Sequence, residues 1–344
     1  MKKMIVLLAM VVLAMGMLAG CGEKQDVINV YNWGDYIDES VLADFEAETG
    51  IKVNYEMFAT NEDMYVKMKQ GGTQYDVVFP SDYMIERMID EDLIQKMDVS
   101  KMENYKYIMD EFKGMDYDPT DEYSIPYMWG TVGILYNTDM VKEPVDSWDI
   151  LWDQKYEKQI LMMDSQRDTL MVALKKLGYS MNTRNTDELE EAKQLLIDQK
   201  PLVLAYVGDN VKDMMIAEEA AIAVVWSGEA VTVMGEKDNM AYAYPKEGTN
   251  LWFDSIVIPK NAQNVDGAHK FIDFLNRPEI AFKNTDYIGY STPNSGAIDL
   301  VTEEMRANNA YYPEVEKLNN YEIFKDPGAF IEEYNRAWTE LKAH

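Results

Sequence analysis

VINVYNWGDYIDESVLADFEAETGIKVNYEMFATNEDMYVKMKQGGTQYDVVFPSDY, residues Val27–Tyr83, is the stretch that decides the fold. Val27–Trp33 is rich in β-branched and aromatic residues and ends in a Gly34-Asp35 turn, the pattern of a strand. Ser40–Thr49 then places Val41, Leu42, Phe45 and Ala47 at roughly helical spacing, and Gly50 is the residue type that stops helices. Ile51–Phe58 returns as a strand, and Asp63–Lys69 reads as a short helix closed by Gly71-Gly72. Tyr75–Phe79 reads as a buried strand stopped by Pro80, after which Ser81 is placed to cap a helix through Met88. This β-α-β-α-β order predicts an α/β protein with a mostly parallel sheet and helices on both faces.

The same alternation continues less regularly. Strands are expected at Gly133–Asn137, Ile160–Met163, Ala221–Trp226, Met240–Tyr244 and Leu251–Pro259. Helices are expected at Ser147–Gln154, Gln166–Leu177 and Thr186–Lys200, with another beginning at Gly267 and running up to Arg277-Pro278. No internal repeat, low-complexity tract or Gly/Ser/Pro-rich linker interrupts the pattern.

The chain has 344 residues, with 61 Asp and Glu against 32 Lys and Arg and a formal charge of −29. That length is near twice the usual domain size, so two domains are expected, with ample chain to bury a core. A hydrophobic fraction of 47% with 12% aromatic residues marks a folded protein, not a disordered acidic tail. The negative charge repels phosphate backbones and argues against nucleic acid as a partner. One cysteine excludes an intramolecular disulfide, a CxxC pair or a cysteine zinc cluster. Two histidines, His269 and His344, leave little for a His-based metal site or triad. Function must rest on carboxylates, aromatics, amides and backbone.

The single cysteine closes the N-terminal segment MKKMIVLLAMVVLAMGMLAGC. Lys2 and Lys3 precede an apolar run from Met4 to Leu18, shorter than the about 20 residues of a membrane span and in proportion to a signal-peptide core. Leu18-Ala19-Gly20-Cys21 resembles the lipobox of bacterial lipoproteins, in which cleavage after residue 20 leaves a lipidated Cys21 at the new terminus. Residues 21–26 then form a small polar tether. The expected setting is extracytoplasmic, at the cell surface or in the periplasm, with the protein held to the membrane by acyl chains.

Catalytic signatures are absent: there is no GxxxxGK[ST], no GxGxxG after a strand, no HExxH, no GxSxG and no EF-hand loop. The positive signal is aromatics and carboxylates placed just after predicted strands, where open α/β sheets bind ligands. Trp33, Asp35 and Tyr36 follow the first strand, and Ser81 and Tyr83 follow the Tyr75 strand. Asp164–Asp168 follow the Ile160 strand, Trp226 ends another, and Trp252 and Asp254 lie near the chain's return. Each alone is compatible with simple packing; their recurrence suits a box for an organic cation. An ammonium over a Trp or Tyr face gains about 0.5–2 kcal/mol. Once buried it also needs a carboxylate partner, because an unpaired buried ion costs several kcal/mol.

Six blocks carry a family resemblance: YNWGDYID at Tyr31–Asp38, ETGIKV at Glu48–Val53, YDVVFPSDY at Tyr75–Tyr83, YSIPYMWGT at Tyr123–Thr131, LWFDSIVIP at Leu251–Pro259 and IGYSTPN at Ile288–Asn294. Together, and in matching order from about Val27 to the C-terminus, they resemble the substrate-binding proteins of spermidine/putrescine ABC transporters. The resemblance implies a two-lobed type II periplasmic-binding fold, with lobe 1 formed by 27–131 plus 254–303 and lobe 2 by 132–253 plus 304–344. The lobes would be hinge-linked, with crossings near Thr131–Ile134, Leu251–Ser255 and Val301–Arg306, and would close on a ligand between them.

The resemblance also implies roles. Trp33, Tyr36 and Tyr290 would be aromatic walls, with Asp35 as an amine partner beside them. Ser81 and Tyr83 would supply a hydroxyl and a ring, Asp168 would hold one amine end, Trp226 and Trp252 would stack on the methylene chain, and Asp254 would be the central anchor. Three positions depart from the spermidine-preferring pattern: Gly34 stands for a Thr, Ser165 for a second carboxylate, and Phe324 for a Gln, while Asp168 is one methylene shorter than the family's Glu. These departures leave the choice between spermidine and putrescine open. The expectation is a monomeric receptor that delivers a polyamine to ABC permease subunits, with no cofactor, no metal and no catalysis. A carboxylate-dependent hydrolase and a metal binder of the same fold are the alternatives.

Overall fold

The computed structural model describes residues 26–315 and 318–344. The expected signal peptide, Cys21 and all of the tether except Asp26 lie outside them. In chain order the elements that build the site are β1 (Val27–Trp33), α1 (Glu39–Thr49), β2 (Lys52–Phe58), α2 (Asn61–Gln70), β3 (Val77–Val78) and α3 (Asp82–Asp90). They continue with β4 (Ser124–Asn137), β5 (Ile160–Met163), α4 (Gln166–Lys176), α5 (Thr186–Gln199), β6 (Val203–Val207) and α6 (Val211–Ile216). The chain ends with β7 (Ile222–Trp226), α7 (Ser227–Glu236), β8 (Met240–Ala243), β9 (Leu251–Val257), α8 (Val265–Leu275), α9 (Pro278–Ile288) and α10 (Ile331–Ala343).

Local chemistry accounts for the boundaries. Asp38 caps α1 by accepting a hydrogen bond from the Ser40 N–H, and Gly50 ends it at φ +74°, a conformation in which a β-carbon would be strained. Between these caps Val41 and Phe45 turn inward, and Phe45 packs edge-on against Phe271 and Phe274 of α8. Pro278, expected to stop a helix, also opens the next one. It sits in the first turn of α9, where its missing N–H has no helical partner to lose. The helix expected at Ser147–Gln154 is instead two 3₁₀ turns, Trp148–Trp152 and Gln154–Tyr156. Asp153 breaks them apart by capping the second, and buried Trp148 is fixed by its indole N–H donating to Gly248 O at 2.9 Å.

The described residues form one nine-stranded sheet in the order β2-β1-β3-β9-β4-β7-β5-β6, with β8 also paired to β4. Pairing is parallel among β1, β2 and β3 and among β5, β6 and β7, as the βαβ reading requires. The expectation of a mostly parallel sheet needs one correction. β4 and β9 run antiparallel to each other and to β7, β8 and β3. The reason lies in the length of β4. Ser124–Thr131 pairs with β9, and Val132–Asn137 of the same strand pairs with β7 and β8. One 14-residue strand thus threads two half-sheets without a crossover helix. The fold is α/β and two-lobed, its halves sharing β4.

In each half the chain leaves the central parallel strand, β1 or β5, toward one neighbour and later returns on its other side. The carboxyl ends of β1 and β3, and of β5 and β7, are therefore switch points, where ligand crevices form. The C-terminal α10 packs on α4 and α5, and its Tyr334 hydroxyl donates to Met181 O and Thr183 O. Among the described residues no helix is long and apolar enough to cross a membrane.

Candidate functional site

The switch-point strand ends open on a cavity of about 450 Å³, within the range of small-molecule sites. All eleven residues singled out from the sequence line it: Trp33, Asp35, Tyr36, Ser81, Tyr83, Ser165, Asp168, Trp226, Trp252, Asp254 and Tyr290. Nine carboxylate residues but only two cationic ones, Arg167 and Lys212, belong to the lining, so the cavity favours positive charge.

Asp254 projects from the middle of β9 and is 6% exposed. Its Oδ2 accepts the Tyr36 hydroxyl at 2.6 Å, while Oδ1 is buried without a protein partner. Burial pushes its carboxyl up to about 6 against the pull of hydrogen bonds from Ser81 and Tyr36, with the negative charge of Asp168 adding to the rise. Asp168 stands in the first turn of α4, where Ser165 Oγ donates to Oδ2 at 2.6 Å and Asn250 Nδ2 to Oδ1 at 3.4 Å. Burial raises it to about 6 as well. Glu229, in the first turn of α7, accepts the Tyr290 hydroxyl at 2.9 Å, and burial lifts it to about 7. Three carboxyls thus share one cavity, each held short of full ionisation by lost hydration.

The rings are held by each other and by the backbone. Trp33 donates its indole N–H to Phe79 O at 2.8 Å and tilts against Phe58. Tyr290 meets Trp252 edge-on at 4.7 Å between centroids and Tyr36 at 5.7 Å. Its ring lies directly over Gly228, where a β-carbon would come within 2.4 Å of it. Tyr83 receives Asn61 Nδ2 and donates to Glu62 Oε1 at 3.0 Å, and its ring meets Phe324 edge-on.

Two expected details differ. Ser81 occupies the N-cap position of α3 without a capping side-chain bond; its hydroxyl instead accepts Asn61 Nδ2, and its backbone forms a bridge with that of Asp254. Asp35 is not free, because its Oδ2 accepts Lys212 Nζ at 2.9 Å. Phe324, expected only as a departure, lines the cavity and stacks under the Arg167 guanidinium at 4.4 Å.

Sequence reading missed Asn61, Asp209, Lys212, Glu229 and Asn250, and included Arg167 only as part of the Asp164–Asp168 run. Glu229 carries the same signal as its neighbours, three residues beyond the strand-end Trp226. Asp209 and Lys212 follow β6, which was not anticipated. His269, by contrast, is a satisfied core residue, accepting from Asp98 N and contacting Val265 O.

Comparison with known proteins agrees with this geometry. The model of the family described as bacterial extracellular solute-binding protein matches residues 40–313. The spermidine/putrescine-binding periplasmic protein of Escherichia coli (strain K12) is 38% identical over 340 residues, covering 98% of this chain and 97% of its own. A solved structure titled as a putative spermidine/putrescine ABC transporter from Listeria monocytogenes is 43% identical and superposes with a TM-score of 0.90, covering 92% of this chain and 99% of its own. The spermidine/putrescine ABC transporter substrate-binding protein of Streptococcus pneumoniae, in complex with calcium and HEPES, is 44% identical with a TM-score of 0.76 at the same coverage. The chain belongs to the bacterial extracellular solute-binding proteins.

Proposed function

We propose that the chain is an extracytoplasmic receptor that captures a polyamine, spermidine or putrescine, and delivers it to the permease subunits of an ABC transporter without transforming it. The observation that carries this reading is Asp254: a buried carboxylate oxygen with no protein partner, walled by Tyr36, Trp252 and Tyr290. A buried acceptor left open at a cavity is costly unless a ligand donor meets it. Aromatic faces flanking several carboxylates suit methylene chains ended by ammonium groups. Asp254 and Asp168 would each take one ammonium, and Trp33, Trp226, Trp252, Tyr36 and Tyr290 would wall the chain. Ser81, Tyr83 and Ser165 would orient these groups.

Lobe 1 would comprise 27–131 plus 254–303, and lobe 2 132–253 plus 304–344, closing over the ligand about the crossings in β4 and β9. The two solved relatives, 43% and 44% identical, superpose with different scores, 0.90 and 0.76, which supports lobes that move as bodies. Cleavage before Cys21 and its acylation would hold a monomeric receptor at the outer face of the membrane. An acyl-modified N-terminal peptide in mass spectrometry of the membrane fraction would support that anchor, and an unmodified Cys21 there would refute it. Calorimetry on refolded, ligand-stripped protein should show saturable heat with spermidine or putrescine. No heat with either, nor with cadaverine, sinks the receptor reading.

A further inference from the structure

The cavity already contains one ammonium group. Lys212, on α6, reaches the cleft from the second half of the sheet and pairs at 2.9 Å with Asp35, which follows β1 in the first half. The pair is asymmetric. The lysine side chain is 22% exposed and the aspartate 60%, so the cation is the better-covered partner, and both residues line the cavity. Asp209 and Glu229 also act on Lys212 electrostatically, and with Asp35 they raise its pKa, so it stays charged. Asp209 crowds the same corner, its Oδ2 lying 2.7 Å from where a β-carbon on Gly34 would stand.

The carboxylates follow a sequence through the cavity. Asp168 acts electrostatically on Asp254, Tyr36 bridges from Asp254 toward Tyr290, and Tyr290 donates to Glu229. Beyond Glu229 come Lys212, Asp209 and Asp35. At the Asp168–Asp254 end no basic side chain hydrogen-bonds either carboxylate; Arg167 acts on Asp168 through space only, donating instead to Lys325 O and Asn182 Oδ1, with its plane against rings and its Nε–H without a partner. At the Glu229 end the resident cation Lys212, ion-paired with Asp35, also acts on Glu229 electrostatically.

We propose that Lys212 is a specificity-determining residue that takes the place of the third ammonium of a triamine, so that the cleft prefers a diamine. The inference rests on the polyamine reading and adds the ligand's length to it. A diamine meets Asp168 and Asp254 and leaves the Lys212–Asp35 pair intact. A triamine lying along the same axis brings its third ammonium toward Glu229, where it meets a like charge. It then displaces Lys212 into water, at the cost of the ion pair, or binds with one end outside. Removing the lysine charge exposes Glu229, Asp209 and Asp35 to the ligand and rewards the third ammonium alone.

The test is calorimetric titration of ligand-stripped wild type, Lys212→Met and Lys212→Arg with putrescine and with spermidine. Lys212→Met keeps most of the stem volume, and Lys212→Gln is a second neutral variant should the first fold poorly. The expected result is that both neutral variants raise the spermidine-to-putrescine affinity ratio about tenfold, a change of about 1.4 kcal/mol in relative affinity, while Lys212→Arg keeps the wild-type ratio. A rise of less than threefold in the neutral variants, or an equal rise in Lys212→Arg, overturns the role of Lys212. Wild type that binds neither amine overturns the polyamine reading instead.

Discussion

Asp254→Asn separates binding from stability, because the same carboxylate should help one and harm the other. Asn keeps the shape and an oxygen for the Tyr36 hydroxyl, and loses the charge. For a bound ammonium, removing one member of a buried pair costs about 3–5 kcal/mol, or roughly a hundred- to several-thousand-fold in affinity. For the empty protein the sign reverses. Burial raises the Asp254 carboxyl from 3.8 to about 6, a shift of about two units, worth about 3 kcal/mol between the two protonation states. Because the folded value is raised, the favourable contribution of this group is complete below about pH 4. It is lost as pH rises through about 6, leaving the ionised group a burden at neutral pH. Asn escapes that burden and carries an amide of its own to satisfy, at about 1–3 kcal/mol. The ligand-free variant should therefore melt as high as wild type or higher at pH 8, and lose that advantage at pH 4. Calorimetric titration with putrescine and spermidine, with melting curves at both pH values, reads both effects. Affinity within threefold of wild type removes Asp254 from the site. A melting difference that does not change between pH 4 and pH 8 refutes the burial argument.

Proton linkage gives a second prediction. At pH 6 the empty site holds Asp254 and Asp168 each about half protonated, so an arriving dication should expel about one proton in all. The putrescine binding enthalpy should then vary with the ionisation heat of the buffer at pH 6 and much less at pH 8; no buffer dependence at pH 6 would contradict it. Gly228→Ala should drive the Tyr290 ring off its seat, since the new carbon would lie 2.4 Å from it. About 1–3 kcal/mol of stability and a measurable share of polyamine affinity should be lost, and an unchanged melting curve and titration would show that the ring has room to move.

What the sequence disclosed was set by how local the signal was. The first three strands and their helices were legible because each carried its own punctuation: Gly34-Asp35 after β1, Gly50 after α1, Pro80 after β3. Asp35, Tyr36, Ser81 and Ser165 were legible for the same reason, lying two or three positions beyond a strand end, whereas Tyr290 follows a helix and was legible only through the resemblance. The antiparallel course of β4 and β9 was not legible, because two strands of near-continuous apolar residues read alike in either direction and their partners lie far along the chain. β6 escaped notice because Leu204 is exposed and Ala205 and Tyr206 are only partly covered, so neither alternation nor a buried run marks it. With it went the loop carrying Asp209 and Lys212. The 3₁₀ turns at Trp148 were mistaken for a helix because their apolar spacing is helical, while an anchor 100 residues away, Gly248 O, decides their geometry.

The cleft gathers several buried polar atoms without partners around one cavity. Many buried polar groups of the fold are met: Asp118 by Tyr123 N, Ser124 N and Ser124 Oγ, Asn294 by Thr292 and Asn276, and at the cavity itself Asp82 by the Tyr83 and Phe253 amides. At the cavity Asp254 Oδ1, Asn250 Oδ1 and the Trp252 indole N–H are all without protein partners. A stability argument alone would fill these positions with apolar side chains, since a half-satisfied buried polar group is worse than none. The cost of the two open acceptors, Asp254 Oδ1 and Asn250 Oδ1, would be borne by the ligand-free protein and recovered when a cation arrives. Affinity is consequently the difference between a strong ion contact and the hydration the carboxyls would otherwise regain, and opening the lobes to water restores that hydration. A receptor that must surrender its cargo needs a site whose groups are poorly served when closed and empty and well served when open. On the proposed reading, the raised carboxyls of Asp168, Asp254 and Glu229 would be the mark of such a site.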